Sequence, residues 1–262
     1  MPFATAGDGA RLFYDVLGAG PPMLLVAGQA CDHRTWTSVR DDFAAHHRVI
    51  VFDHRGTGDS DKPEAPPYST RGFAADAVAV LDDLGVARAH VYGTSMGGRI
   101  GQWLAIDHAA RVGALVLGCT TPGNAHGVRR PREVDPELAS GDPARMLPFQ
   151  VTPGWSASHP EYLTERIAAQ RDHPVPPYAR RLHYLASEAH DAWDLLPTIT
   201  APTLVVHGSD DQVNVAANAP ILAARIPRAE VHIVAGARHA YLMEHREEAS
   251  RVVLAFLDRH RW

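Results

Sequence analysis

Along the chain, short apolar runs rich in β-formers alternate with longer stretches whose apolar positions recur at helical spacing. The runs predict strands at Arg11 to Leu17, Met23 to Ala27, Val49 to Phe52, His90 to Tyr92, Ala114 to Leu117, Thr203 to His207 and Val231 to Val234. The longer stretches predict helices at Thr35 to His46, Thr70 to Leu84, Met96 to Asp107, Val215 to Ala224 and Arg246 to Arg259. Such alternation is the pattern of an α/β fold, a mostly parallel central sheet with helices on both faces. It breaks off between Pro122 and His190, where Arg129-Arg130-Pro131-Arg132, Pro136, Pro143, Pro148 and Pro174 to Pro177 punctuate short helical pieces. A bare loop of that length is uncommon inside a compact domain, so residues 123–190 are expected to fold as an inserted helical cap over the C-terminal edge of the sheet. Residues 1–122 and 191–262 then form the two parts of the core.

Composition narrows the chemistry by exclusion. With 262 residues and 45% hydrophobic content the chain can bury one large core. A formal charge of -5 with scattered charges gives no basic stripe for nucleic acid or an anionic membrane surface, so a small-molecule substrate is expected. Two cysteines, Cys31 and Cys119, make neither a disulfide framework nor a zinc or redox pair. No apolar run is long enough to span a bilayer, and the expected location is cytoplasmic. Lys62 is the only lysine, which removes a P-loop lysine and a Tyr-x-x-x-Lys pair.

The densest chemical signal is Gly93-Thr94-Ser95-Met96-Gly97-Gly98, a predicted strand running through G-x-S-x-G into a predicted helix. A serine at so sharp a turn is lifted above the sheet edge, and glycine on either side removes side chains that would collide. Serine becomes a nucleophile only when a base takes its proton, which calls for a histidine and a buried carboxylate in later loops at the same edge. Of 16 histidines, His239 alone lies directly past the last predicted strand and ahead of the terminal helix. The strand ending in His207-Gly208 leads into Asp210 and Asp211; Asp211 is the preferred acid, with Asp210 as the alternative. Backbone amides of Gln29, after the strand ending at Ala27-Gly28, and Met96 are candidates for an oxyanion hole. Asp53-His54-Arg55-Gly56-Thr57-Gly58-Asp59-Ser60 reads as a tight turn held by local hydrogen bonds and an arginine ion pair. In the cap, Trp155, Tyr178 and His183 are candidates to line the substrate pocket, and Arg129, Arg130 and Arg132 read as a solvated basic face before a carboxylate clamp.

Taken together, Ala27-Gly28-Gln29, Asp53-His54-Arg55-Gly56, Gly93 to Gly98, Gly208-Ser209-Asp210-Asp211-Gln212 and Gly236-Ala237-Arg238-His239 make the chain resemble the α/β-hydrolase superfamily over nearly its whole length. It is most similar to the small capped group that includes 3-oxoadipate enol-lactonases, carboxylesterases and cofactor-free haloperoxidases. The resemblance implies a serine hydrolase that uses no cofactor and no metal, with Ser95, Asp211 and His239 as its triad and a small ester or lactone as substrate. Many relatives carry His-Gly at the oxyanion strand end where this chain has Ala27-Gly28. Two other readings remain open at this level: hydrolysis of a carbon–carbon bond in a vinylogous diketone, and a non-catalytic small-ligand receptor on the same fold. Haloalkane dehalogenase and epoxide hydrolase chemistry call for a carboxylate where Ser95 stands.

Overall fold

The apolar runs become β1 (Phe3–Thr5), β2 (Arg11–Leu17), β3 (Pro22–Val26), β4 (Arg48–Phe52), β5 (Ala89–Thr94), β6 (Val112–Gly118), β7 (Thr203–Gly208) and β8 (Ala229–Val234) in a computed structural model that describes residues 2–65 and 68–262. They form one 8-stranded sheet in the order β1-β2-β4-β3-β5-β6-β7-β8. β1 and β2 pair antiparallel, as do β2 and β4; every later neighbour is parallel. β1 was not expected from the sequence, because three residues are too few to show a period.

Both faces of the sheet are buried, and the strand period shows how. In β3 and just beyond it, Leu24 and Val26 enter one core while Met23, Leu25 and Ala27 enter the other; in β6, Leu115 and Leu117 oppose Ala114 and Val116. The helices of the core are α1 (Arg40–Ala44), α2 (Thr70–Asp83) and α3 (Met96–Asp107), followed after the insertion by α9 (Asn218–Arg225), α10 (Tyr241–Glu244) and α11 (Arg246–Asp258). Helices α2, α3 and α9 cover the first face through Phe73, Ile100 and Leu222. Helices α1, α10 and α11 cover the second through Phe43, Tyr241 and Val253.

The helix expected over Thr35 to His46 is instead a 3-10 turn at His33–Trp36 and the short α1. Asp32 caps the 3-10 turn by accepting from the Arg34 amide, and Val39 breaks the path with φ −125° and ψ −16°. The helix expected from Val215 begins at Asn218, because a turn in which the Asn218 amide donates to Val215 O precedes it.

Between β6 and β7 lie α4 (Val134–Ser140), α5 (Pro143–Gln150), α6 (Pro153–Ser158), α7 (Pro160–Asp172) and α8 (Pro177–Glu188). Four prolines of this region open helices, while Pro148 sits inside α5. α5, α6, α7 and α8 each carry one at the first turn, where the missing N–H costs nothing. Among the described residues no helix is long and apolar enough to cross a membrane.

Candidate active site

β5 passes into α3 through Ser95 alone, and that residue carries the bend, with φ 57° and ψ −119°. A left-handed backbone at a residue other than glycine stores roughly 1–3 kcal/mol and persists only where neighbours enforce it. Here the Ser95 amide donates to Gly118 O at 2.8 Å and the Thr120 hydroxyl donates to Ser95 O at 2.7 Å. The flanking glycines are steric requirements: a Cβ on Gly93 would stand 2.1 Å from Gly97 O, and one on Gly97 would stand 2.1 Å from Val26 O. Gly97 therefore sets α3 directly against the end of β3.

That contact brings the next loop beside the serine. A Cβ on Gly28 would lie 3.5 Å from the Ser95 Cβ, so the Gly28–Gln29 peptide borders the hydroxyl. Among the described residues, neither the Gln29 nor the Met96 amide donates to a protein acceptor. At this strand end the Ala27 carbonyl pairs with His54 Nε2 at 3.0 Å, so a histidine from the neighbouring turn braces it.

Asp211 and His239 approach from β7 and β8. His239 Nδ1 lies 2.8 Å from Asp211 Oδ2, with Asp211 only 3% exposed. The other oxygen, Oδ1, accepts from the Val213 and Asn214 amides at 2.8 and 3.0 Å. Burial works against the Asp211 charge, but the charge on His239 and hydrogen bonds from His207 and His239 outweigh it and hold the carboxyl at about 2. Asp210 is exposed and takes only the Ser209 hydroxyl, so the two adjacent acids are separated by geometry.

Three neighbours of the site gave no sequence signal. His207, inside β7, aims Nε2 at Asn214 O and stands 3.3 Å from Asp211 Oδ2. Asn214 donates Nδ2 to Cys119 O at 2.7 Å and lies 3.5 Å from Ser95 Oγ. Arg99, 3% exposed, reaches Asn214 Oδ1 at 3.3 Å and Thr121 Oγ1 at 3.0 Å. Burial lowers Arg99 to about 10, which leaves it charged at neutral pH. Among the described residues Ser95 Oγ has no hydrogen bond to His239; its one partner is Asn214. Another staggered χ1 rotamer redirects the hydroxyl without moving the backbone.

The inserted helices are tied to this rim. The His239 and Ala240 amides donate to Phe149 O and Gln150 O at 3.3 and 2.8 Å, which attaches the histidine loop to the end of α5. His183, from α8, accepts the Ala30 amide at Nδ1 (3.2 Å) and donates Nε2–H to Arg55 O (2.8 Å). Fully buried in this way, His183 is a brace for the loop after β3 and does not line the cavity, contrary to expectation. Tyr178 is likewise engaged elsewhere, donating to Lys62 O at 2.6 Å. Trp155 does line a cavity of about 610 Å³ between α5 to α7 and the loop after β3, together with Gln29, Cys31, Met146, Tyr162 and Arg166. Ser95 and His239 are not among its lining residues; the cavity meets the site at Gln29 and Ala30.

The turn at 53–60 is held by its own bonds. Asp53 accepts from the His33 and Asp59 amides at 2.7 and 2.8 Å, and Arg55 forms a buried two-point pair with Asp76 at 2.6 and 2.7 Å. Asp32, His33 and Asp53 bring potential metal ligand atoms within 4.8 Å of one another. These groups already satisfy each other and Arg34, with His33 Nδ1 2.8 Å from Asp53 and Arg34 2.9 Å from Asp32.

Comparison with known proteins matches residues 21–246 to the alpha/beta hydrolase fold family. The chain is 35% identical to RutD of Azorhizobium caulinodans, provisionally named a carbamate hydrolase, over 98% of both chains. It is 31% identical to a 2-hydroxy-6-oxononadienedioate/2-hydroxy-6-oxononatrienedioate hydrolase of Burkholderia vietnamiensis, over 97% of this chain and 93% of the relative. Among solved structures, Est816, described as an N-acyl homoserine lactone degrading enzyme, superposes with a TM-score of 0.83 at 32% identity, covering 97% of this chain and 100% of the other. The eight-stranded, mostly parallel sheet and the family match agree: the chain is a hydrolase that belongs to the alpha/beta hydrolase fold family.

Proposed function

We propose that the protein is a serine hydrolase that transfers the acyl group of a small carboxylic ester or lactone to water through an acyl-enzyme on Ser95. The observation that carries this reading is the 2.8 Å contact of His239 Nδ1 with the buried Asp211 carboxylate. With Nδ1 so engaged, Nε2 is the imidazole atom left to take a proton, and Asn214 links the same carboxylate to the serine hydroxyl.

In this mechanism Ser95 Oγ turns from Asn214 to His239 Nε2, gives up its proton and attacks the carbonyl carbon. Charge moves to the carbonyl oxygen, where the Gln29 and Met96 amides receive it. The imidazolium, steadied by Asp211, passes its proton to the leaving oxygen as the carbon–oxygen bond breaks. Water then gives a proton to His239 as its oxygen attacks the acyl carbon, and the imidazolium returns that proton to Ser95 Oγ as the carbon–oxygen bond to the serine breaks and the acid leaves. These steps call for no metal or organic cofactor. Residues 123–190 serve as a cap over the site, the partner is a small molecule and neither nucleic acid nor a membrane, and the protein works in the cytoplasm with Cys31 and Cys119 as thiols.

The lactone-degrading structural neighbour and the carbamate relative both favour acyl transfer. The Burkholderia vietnamiensis relative favours a second reading, carbon–carbon bond hydrolysis by the same three residues. Parallel assays on an aryl ester and a vinylogous diketone separate the two. Ser95→Ala is expected to cut aryl-ester turnover by at least about 10³-fold with unchanged circular dichroism. Undiminished turnover in that variant contradicts the mechanism, and fluorophosphonate labelling without turnover of any substrate favours a receptor.

A further inference from the structure

Arginines around the cavity are committed to partners, with one exception. Arg34 pairs with Asp32 and Asp59 at 2.9 and 3.1 Å, Arg246 pairs with Asp42 at 2.6 Å, and Arg180 donates to Ser140 O at 3.1 Å. Arg166, on α7, lines the same cavity and is half-buried. Among the described residues it meets no carboxylate within 4.0 Å. Its neighbours are the Tyr162 ring, with the guanidinium carbon 5.7 Å from the centroid, and the Cys31 thiol. Glu161 and Glu165, the carboxylates of α7 at this cavity, are exposed to solvent and stand beyond ion-pair distance of it.

A half-buried guanidinium gains most from a bidentate, negative partner, and a carboxylate fits its planar fork best. Burial works against the Arg166 charge, Tyr162 and Cys31 outweigh that effect, and its pKa is raised. The position also matters. Cys31 follows Gln29 closely in the loop after β3, so the free cation lies beside the loop that supplies an oxyanion donor. We propose that Arg166 is the carboxylate-binding residue of the substrate pocket, and that the esters or lactones hydrolysed at Ser95 carry a carboxylate. The substrate class rests on the acyl-transfer reading above; the anion site itself does not. Arg130, the cap arginine whose run of basic residues first suggests such a clamp, is excluded, since Asp135 and Glu188 hold it at 2.5 and 2.7 Å.

The test uses isosteric pairs that differ only in charge. Mono-4-nitrophenyl glutarate against 4-nitrophenyl glutaramate places the carboxylate on the acyl side, and 4-acetoxybutanoate against 4-acetoxybutanamide places it on the leaving side. Wild type is expected to prefer the carboxylate in at least one pair by about tenfold or more in kcat/KM. Arg166→Gln is expected to remove that preference by raising KM for the acid alone, with the amide unchanged within about twofold, and Arg166→Lys to restore part of it. Calorimetry with glutarate reads the anion site without turnover and should show binding to wild type and its loss in Arg166→Gln. Equal losses on acid and amide with a lowered Tm indicate a merely structural tie between α7 and Cys31 and overturn the proposal, as does an unchanged preference. If Ser95 is not labelled by fluorophosphonate yet glutarate binding depends on Arg166, the acyl-transfer reading fails and the anion site stands.

Discussion

Charge is handled in two ways in this molecule, one at the rim of the sheet and one in the cavity beneath α5 to α7. At the rim, Asp211 accepts from two amides and two histidines, Asp53 from two amides, and Arg55 meets Asp76 at two points. In the cavity, Arg166 stands beside a thiol and an aromatic ring, with no carboxylate within 4.0 Å among the described residues. Saturated hydrogen bonding fixes a geometry before any ligand arrives, which suits groups that move protons. An unpaired cation instead keeps its interaction energy for a ligand, which suits selection. On the proposed reading the rim serves the reaction and the cavity serves the choice among substrates.

Breaking the rim should have the largest effect. Asp211→Asn removes the charge that fixes the His239 tautomer, and kcat on an aryl ester is expected to fall by about 10³ to 10⁴-fold with KM little changed. Loss of less than about tenfold would mean that His207 or another group supplies the orientation.

Next in size is a pH effect at the join between the two regions. His183 is held neutral by burial, with His54 adding to the effect, and its pKa lies at about 3. Its folded value lies below the ordinary histidine value, so its contribution is complete above about pH 6.5 and is lost as the pH falls toward 3. The loss accrues at about 1.4 kcal/mol per pH unit, reaching roughly 4 kcal/mol. Denaturant midpoints between pH 7 and pH 4 should fall in wild type and fall less steeply in His183→Gln. Equal slopes would remove His183 as the brace of the loop after β3. The smallest effect is expected at Asp210→Asn, whose turnover should stay within about twofold of wild type because that carboxylate faces solvent.

The placement of the three candidate residues at the rim was legible in the sequence because each lies in a loop just past a strand. Ser95 comes straight after β5, Asp211 shortly after β7 and His239 shortly after β8, so strand ends and short motifs place them without knowledge of the packing. Trp155 was placed at the cavity by its type, but the long-range ties around the rim were not legible. His183 finds the Ala30 amide 153 residues away, and Arg99 finds Asn214 115 residues away, pairings that no local pattern encodes. Tyr178 and His183 look like pocket residues by type, yet the direction of α8 turns both toward the backbone of the core. The prolines of the insertion signalled interruption in the sequence, yet Pro143, Pro153, Pro160 and Pro177 proved to be helix starts, because the first turn has no use for an N–H.

The most direct measurement is to quench the enzyme during turnover of an activated ester and map the added mass by peptide spectrometry. An acyl group on the peptide containing Ser95, transient in wild type and absent in Ser95→Ala, is the predicted result. Steady turnover with no adduct at Ser95, or an adduct on another side chain, would contradict it.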